Sequence, residues 1–193
     1  MLLYHFTSRF HSPLIIKDGY LKLTESNLIA PTKEEMQKYE QEMEQGKYVY
    51  NRDDLYKPVV WLTNIPDPKN QGLEGGCFNK SEIMFTLRKK EHYQKWIEWS
   101  RRNGIKKQWA EALERGRNPE SWYISEKIIP LTRDNIIKIE NVITGEIFID
   151  VKAGLTTYIC TVDRARGVMP IPVYDEFLGR KGLKKGDVVT LSL

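Results

Sequence analysis

Two short stretches hold the residue types best suited to chemistry. In Leu3-Tyr4-His5-Phe6-Thr7 an imidazole is followed two residues on by a hydroxyl, and in Ser125-Glu126-Lys127-Ile128-Ile129 a carboxylate sits among β-forming residues. His5 is either a hydrogen-bonded edge histidine or a ligand-binding group. Glu126 is either a solvent-facing residue paired with Lys127 or an acid available for bond cleavage, with Glu74, Glu82 and Glu140 as rivals. The rings of Trp61 and Tyr20 offer stacking faces, Thr63 adds a hydroxyl beside Trp61, and Arg9, Lys17 and Arg52 are cations that a phosphate could use. His11 and His92 stand alone in separate segments, so no metal site is expected. Gly72-Leu73-Glu74-Gly75-Gly76 lacks the lysine and the strand–helix setting of a phosphate loop.

A third stretch is basic. Between Arg88 and Arg117 ten Lys or Arg stand against four Glu, and Trp96, Trp99 and Trp109 interleave with Lys95, Arg101, Arg102, Lys106 and Lys107. Rings beside cations suit a single nucleic-acid strand. The competing reading puts Trp96 and Trp99, three apart, in one buried stripe whose basic outer face is merely solvated.

The elements that must hold these residues are legible in outline. Leu2 to Thr7 alternates as a strand, and Ser12 to Asp18 reads as a short helix stopped by Gly19. Thr32 to Gln45 has an N-cap, Glu35 at the third position after it, and Met36, Tyr39 and Met43 at helical spacing, which predicts an amphipathic helix with an acidic outer face. Lys57 to Thr63 reads as a strand, followed by a Pro- and Gly-bearing loop from Asn64 to Gly76 that is long enough to act as a lid. Ser81 to Leu87 is a strand, and Arg88 to Arg115 gives two helices hinged near Asn103-Gly104 and closed by Pro119. Trp122 to Ile129 and Ile136 to Ile139 are strand-like, and strands dominate from Ile147 onward. Helices come in blocks between strands, which predicts α+β and not a doubly wound sheet.

Composition narrows the class. The chain has 193 residues, a formal charge of +4, five Trp and ten Tyr, too many large rings for a disordered segment. No apolar run is long enough to span a bilayer, and no export signal precedes His5, so no membrane is expected. Cys77 and Cys160 fall in no CxxC or Cys/His cluster and fit a reducing, cytoplasmic setting.

Leu3-Tyr4-His5-Phe6-Thr7-Ser8 followed by Ile15-Ile16-Lys17-Asp18-Gly19-Tyr20-Leu21 resembles the "YHxT … ILxxGxL" opening of ADP-ribosyltransferase-like proteins, notably the DarT-type and RNA phosphotransferase branches. Val59-Val60-Trp61-Leu62-Thr63 is similar to that family's second element. Ser125-Glu126-Lys127-Ile128-Ile129-Pro130, followed by Ile136 to Ile139, is similar to its third, a strand headed by the catalytic acid. The resemblance covers roughly residues 1–140. It implies NAD as substrate, bound by His5, Thr7, Tyr20, Trp61 and Thr63, with Glu126 as the catalytic acid. Such an acid orients a ribose hydroxyl and stabilises the oxocarbenium-like charge that develops as nicotinamide leaves. Ile124 stands where arginine-modifying members carry a second acid, so modification of protein arginine is not expected.

Asp163-Arg164-Ala165-Arg166-Gly167 through Pro172, with Gly182-Leu183-Lys184-Lys185-Gly186-Asp187-Val188-Val189, resembles the pattern of AbrB-type swapped-hairpin DNA-binding domains. A plain hairpin packed on the main sheet is the alternative.

The combined reading is an ADP-ribosyltransferase-like split-sheet domain over residues 1–145, carrying a helical insertion, with a strand-rich extension over 146–193. Its expected activity is transfer of ADP-ribose from NAD to a macromolecule, nucleic acid ahead of protein, in a setting such as toxin–antitoxin or phage–host conflict. A non-catalytic nucleic-acid-binding or regulatory protein on the same scaffold, and an NAD or nucleotide hydrolase, are the alternatives.

Overall fold

The computed structural model describes residues 1–23, 59–73, 79–105, 107–163 and 171–193. The expected helix at 32–45, Arg52, Glu74, Cys77 and Lys106 lie outside the described residues.

The fold is α+β. Its main body is a seven-stranded antiparallel sheet in the order β5-β6-β3-β1-β4-β8-β9. The strands are β1 (Leu2–Thr7), β3 (Val60–Thr63), β4 (Ile83–Arg88), β5 (Gln94–Lys95), β6 (Trp122–Ser125), β8 (Ile136–Asn141) and β9 (Ile147–Asp150). Two small sheets stand apart: β2 (Tyr20–Leu21) pairs with β7 (Ile129–Pro130), and β10 (Thr157–Thr161) pairs with β11 (Val188–Ser192).

Strand alternation divides the main sheet into two faces. On the first, Leu3, Val60, Leu62, Phe85, Leu87 and Ile139 meet helix α1 (Ser12–Asp18) in the larger core. Pro13 starts α1, Leu14, Ile15 and Ile16 are buried, and Gly19 ends it at φ 74° with its N–H donating to the Ile15 carbonyl at 3.0 Å. Only a residue without Cβ adopts that φ without strain.

On the second face, helix α2 (Trp96–Arg102) buries Trp96 and Trp99 against Val59, Trp122 and Ile124. Trp61 joins them, its ring centroid 4.9 Å from that of Trp96. Every indole N–H in this cluster whose partner is described ends on a side-chain oxygen: Trp96 on Glu114 at 2.7 Å, Trp99 on Glu126 at 2.9 Å and Trp122 on Gln71 at 3.0 Å. Buried indoles need such acceptors, because a lost hydrogen bond there costs about 1–3 kcal/mol. Gly104, at φ 68°, separates α2 from helix α3 (Lys107–Glu114), as the hinge at Asn103-Gly104 predicts.

Two expectations are corrected. Trp122 to Ile129 is not one strand, because the Ser125 hydroxyl accepts from the Lys127 N–H at 3.2 Å and donates to the Lys127 carbonyl at 2.7 Å. This side-chain turn competes with the sheet ladder, so β6 ends at Ser125 and Glu126 lies in the turn instead of heading a strand. The described part of the loop after β3 is pinned and not a free lid. Gln71 accepts from Ser121 and Trp122, and the Asn70 carbonyl accepts from Asn118 N–H at 3.1 Å.

The C-terminal segment shares the first core. Tyr158, Val162, Leu178, Leu183, Val189 and Leu191 belong to the same buried cluster as Leu3 and Phe85. The rings of Tyr158 and Phe148 stack at 4.4 Å. Helix α4 (Ile171–Arg180) ends beside Lys17, whose ammonium donates to the carbonyls of Lys181 and, at 3.0 Å, of Gly182. A cation at this end complements the helix dipole.

Candidate functional site

β1 is the middle strand of the sheet, so His5 is held by hydrogen-bonded strands on both sides. Its ring lies edge-on to Phe85 at 6.2 Å, and Nδ1 donates to the Trp61 carbonyl at 2.9 Å. That bond selects the tautomer with Nε2 unprotonated and able to accept. Burial lowers the His5 pKa, the Trp61 bond opposes this, and the Lys80 ammonium lowers it further. His5 is therefore a neutral imidazole with a fixed acceptor.

Just beyond β1, Ser8 is fully buried and its Oγ lies 2.9 Å from His11 Nδ1. The His11 pKa is pushed down to about 4 by burial first, then by Lys80 and Lys22. Lys80 thus acts on both histidines. The end of β1 carries two neutral imidazoles and two nearby ammoniums, a setting that attracts an anion. Arg9 is tied to Glu82, its N–H donating to Oε2 at 3.0 Å, which gives that rival acid a structural task.

Glu126 sits at the far end of β6. Its Oε1 accepts from the Trp99 indole at 2.9 Å, and Trp99 is fully buried and stacked at 5.9 Å on Trp96. The carboxylate is thereby oriented from α2. Val60 pairs with Ser125, and the β1–β3 register, extended from Tyr4 opposite Thr63, sets Thr7 beside Val60. Thr7, Val60 and Ser125 form a row across three strands that ends next to Glu126.

The expected NAD-binding residues divide between the two faces. His5 and Thr7 lie on the first face, whereas Trp61 and Thr63 lie on the second, Trp61 among Trp96 and Trp122 and Thr63 donating its hydroxyl to Ser121 at 3.0 Å. Tyr20 lies on β2 opposite Pro130, outside the main sheet. Trp61 is thus chiefly a packing residue. Glu140, the third rival acid, is paired with Lys138 at 2.6 Å beside an open depression of about 300 Å³ that Tyr4, Met84 and Thr86 help line.

Of the basic set, Lys95 donates to the Glu120 carbonyl at 2.6 Å, Arg101 and Arg102 are exposed on α2, and Lys107 pairs with Glu111 at 3.6 Å. Trp96 and Trp99 are core residues and offer no face to a base. Sequence reasoning passed over Lys80 and Lys22 as parts of a site, and weighed Trp99 only as a ring of the basic stretch. Lone lysines in loops carry no motif, and Trp99 bears on Glu126 only through tertiary packing. Among the described residues no group of three or more His, Cys, Asp or Glu is placed to hold a metal ion. No helix among them is long and apolar enough to cross a membrane. Comparison with protein-family models, with curated proteins and with solved structures finds no match.

Proposed function

We propose that this chain transfers ADP-ribose from NAD to a macromolecular acceptor, nucleic acid ahead of protein, on an ADP-ribosyltransferase-like fold. The observation that carries the reading is the state of His5. A neutral imidazole is locked by the Trp61 carbonyl, which leaves Nε2 the acceptor nitrogen for a ribose hydroxyl, and the Lys80 cation nearby suits a diphosphate. Glu126, oriented by Trp99, supplies the carboxylate that such chemistry needs.

In the reaction the ribose–nicotinamide bond breaks with its electrons leaving on nicotinamide. The ribose carbon then bonds to a nucleophilic atom of the acceptor, which gives up a proton. His5 and Glu126 address different parts of the dinucleotide in this scheme. His5 lies on the first face, and Glu126 is held from the second at the ends of β3 and β6.

That division is also the observation that favours a second reading, a non-catalytic nucleic-acid-binding or regulatory protein. One experiment separates them. Purified protein and its Glu126→Ala variant are mixed with labelled NAD and a cell lysate, and parallel samples receive nuclease or protease. Transfer predicts Glu126-dependent label, lost with one of the two treatments, and release of nicotinamide. Nicotinamide release without labelled macromolecule would indicate hydrolysis. Neither label nor release would leave the binding reading.

A further inference from the structure

Six cations along the β5 edge of the main sheet close no ion pair among the described residues. Among the described residues ion pairs engage Arg9, Lys107, Lys138 and Arg180. None engages Lys89, Lys90, Lys95, Arg101, Arg102 or Lys127.

Four of them, Lys89, Lys90, Lys95 and Arg102, are nonetheless positioned by neutral partners. The Lys89 and Lys95 ammoniums stand 5.4 and 4.8 Å from the centroid of one ring, that of buried Tyr123. Lys95 also donates to the Glu120 carbonyl at 2.6 Å, and Lys90 to the Asp134 carbonyl at 3.0 Å. The Arg102 guanidinium bonds the amide of Gln94, the residue beside Lys95. Exposed His92 has its pKa lowered by burial and by Lys127 and Lys90, which places both ammoniums near it. The series runs from Lys127 past His92 to Lys90, Lys89 and Lys95, then to Arg102 and Arg101. Glu91, Glu98 and Glu120 are exposed in the same region, yet none closes an ion pair with the six.

Neutral holders, namely a ring, carbonyls and an amide, fix the geometry and leave the charge intact. Like charges held close repel one another, and a polyanion relieves that repulsion while releasing its own counterions. The Trp rings of α2 are buried, so recognition by base stacking has no platform there.

We propose that this edge is a docking surface for the phosphate backbone of a nucleic acid, bound without base preference. It deepens the transfer reading by assigning the acceptor a docking surface and rests on that reading only for purpose. Binding itself needs neither NAD nor Glu126.

The test is fluorescence anisotropy of labelled 20-nucleotide single-stranded DNA, RNA and duplex DNA from 50 to 200 mM salt. The proteins are wild type, Lys89→Gln/Lys95→Gln, Arg101→Gln/Arg102→Gln, and a charge-matched control at two exposed lysines away from this edge, Lys69→Gln/Lys152→Gln. Circular dichroism verifies the fold of each. Wild-type affinity should fall about 10³-fold across that range if all six cations engage phosphates. Each edge double variant should flatten the salt slope by about two contacts, and the control should leave it unchanged. The three nucleic acids in parallel identify which form the surface takes. The proposal is overturned if no nucleic acid binds at 50 mM salt, if the control weakens binding as much as the edge variants, or if vesicles of phosphatidylcholine with 30% phosphatidylserine bind and oligonucleotides do not. Glu126→Ala should bind nucleic acid like wild type, so loss of transfer without loss of binding would fail the catalytic reading alone.

Discussion

His5 and His11 are held neutral chiefly by burial, and Lys80 acts on each. A histidine whose folded pKa lies below its unfolded value of 6.5 takes up a proton more readily when unfolded. Stability is therefore full above about pH 7 and declines as pH falls through 6.5 toward 4, the value to which His11 is lowered. Each histidine adds a slope of up to about 1.4 kcal/mol per pH unit in that window. Urea titrations at pH 7.5 and pH 5 should show the decline, and His11→Gln should shrink it. A pH-independent midpoint in wild type would remove the case for neutral histidines. Trp99→Phe keeps most of the ring but deletes the donor to Glu126. On the transfer reading, nicotinamide release should fall about tenfold or more, equivalent to about 1.4 kcal/mol in the barrier, with little change in the NAD KM. Burial raises the Cys160 thiol to about 11, with a hydrogen bond from Tyr158 opposing it. Iodoacetamide at pH 8 should therefore leave Cys160 unmodified in the native protein, as read by mass spectrometry.

At the level of elements, local chemistry sets the boundaries and neighbouring chain sets the contacts. Gly19 and Gly104 end or separate helices through positive φ, which their lack of a Cβ permits. The stop at Ser125 is equally local but is written in a side-chain turn that the β-forming residues around it disguise. Lys17 shows the opposite case, since its partners are carbonyls 164 and 165 residues away. Lys17→Met keeps the aliphatic stem and removes the ammonium, and should cost about 1 kcal/mol in urea-induced unfolding. Gly182→Ala should also destabilise, because φ is 62° and a Cβ would stand 3.1 Å from the Lys17 ammonium. An unchanged midpoint in both variants would show that this end of α4 is not held by Lys17.

For the whole molecule, the question is whether the extension expected over 146–193 is an appendage or part of the body; its first strand, β9, lies in the main sheet, so the test falls on residues 156–193. Six of their side chains lie in the first core with Leu3 and Phe85. Burying each contributes about 1.5–3 kcal/mol, so together they rival the about 5–15 kcal/mol that separates a typical folded domain from its unfolded chain. A chain ending at Leu155 should therefore lose cooperative thermal unfolding and bind hydrophobic dye, whereas the full chain should unfold in one transition by near- and far-ultraviolet circular dichroism. A truncated chain that melts sharply near the full-length temperature would mark the segment as separable.

By itself the sequence determined what depends on near neighbours. Alternation placed β1 and β4, helical spacing offered Trp96 and Trp99 as one stripe that could be buried, and glycines marked the end of α1 and the hinge after α2. Blocks of helices between strands marked the chain as α+β. Only the tertiary structure decided which of the chemically capable residues meet. Period-two alternation assigns faces within a strand, but the pairing of β1 with β3 is what puts His5 and Thr7 on one face and Trp61 and Thr63 on the other. The acceptor for the Trp99 indole, the lysine common to His5 and His11, and the ring shared by Lys89 and Lys95 each come from segments distant along the chain. Spacing along a chain fixes direction locally; distance across a sheet is set by strand order and packing, which no single stretch of residues encodes.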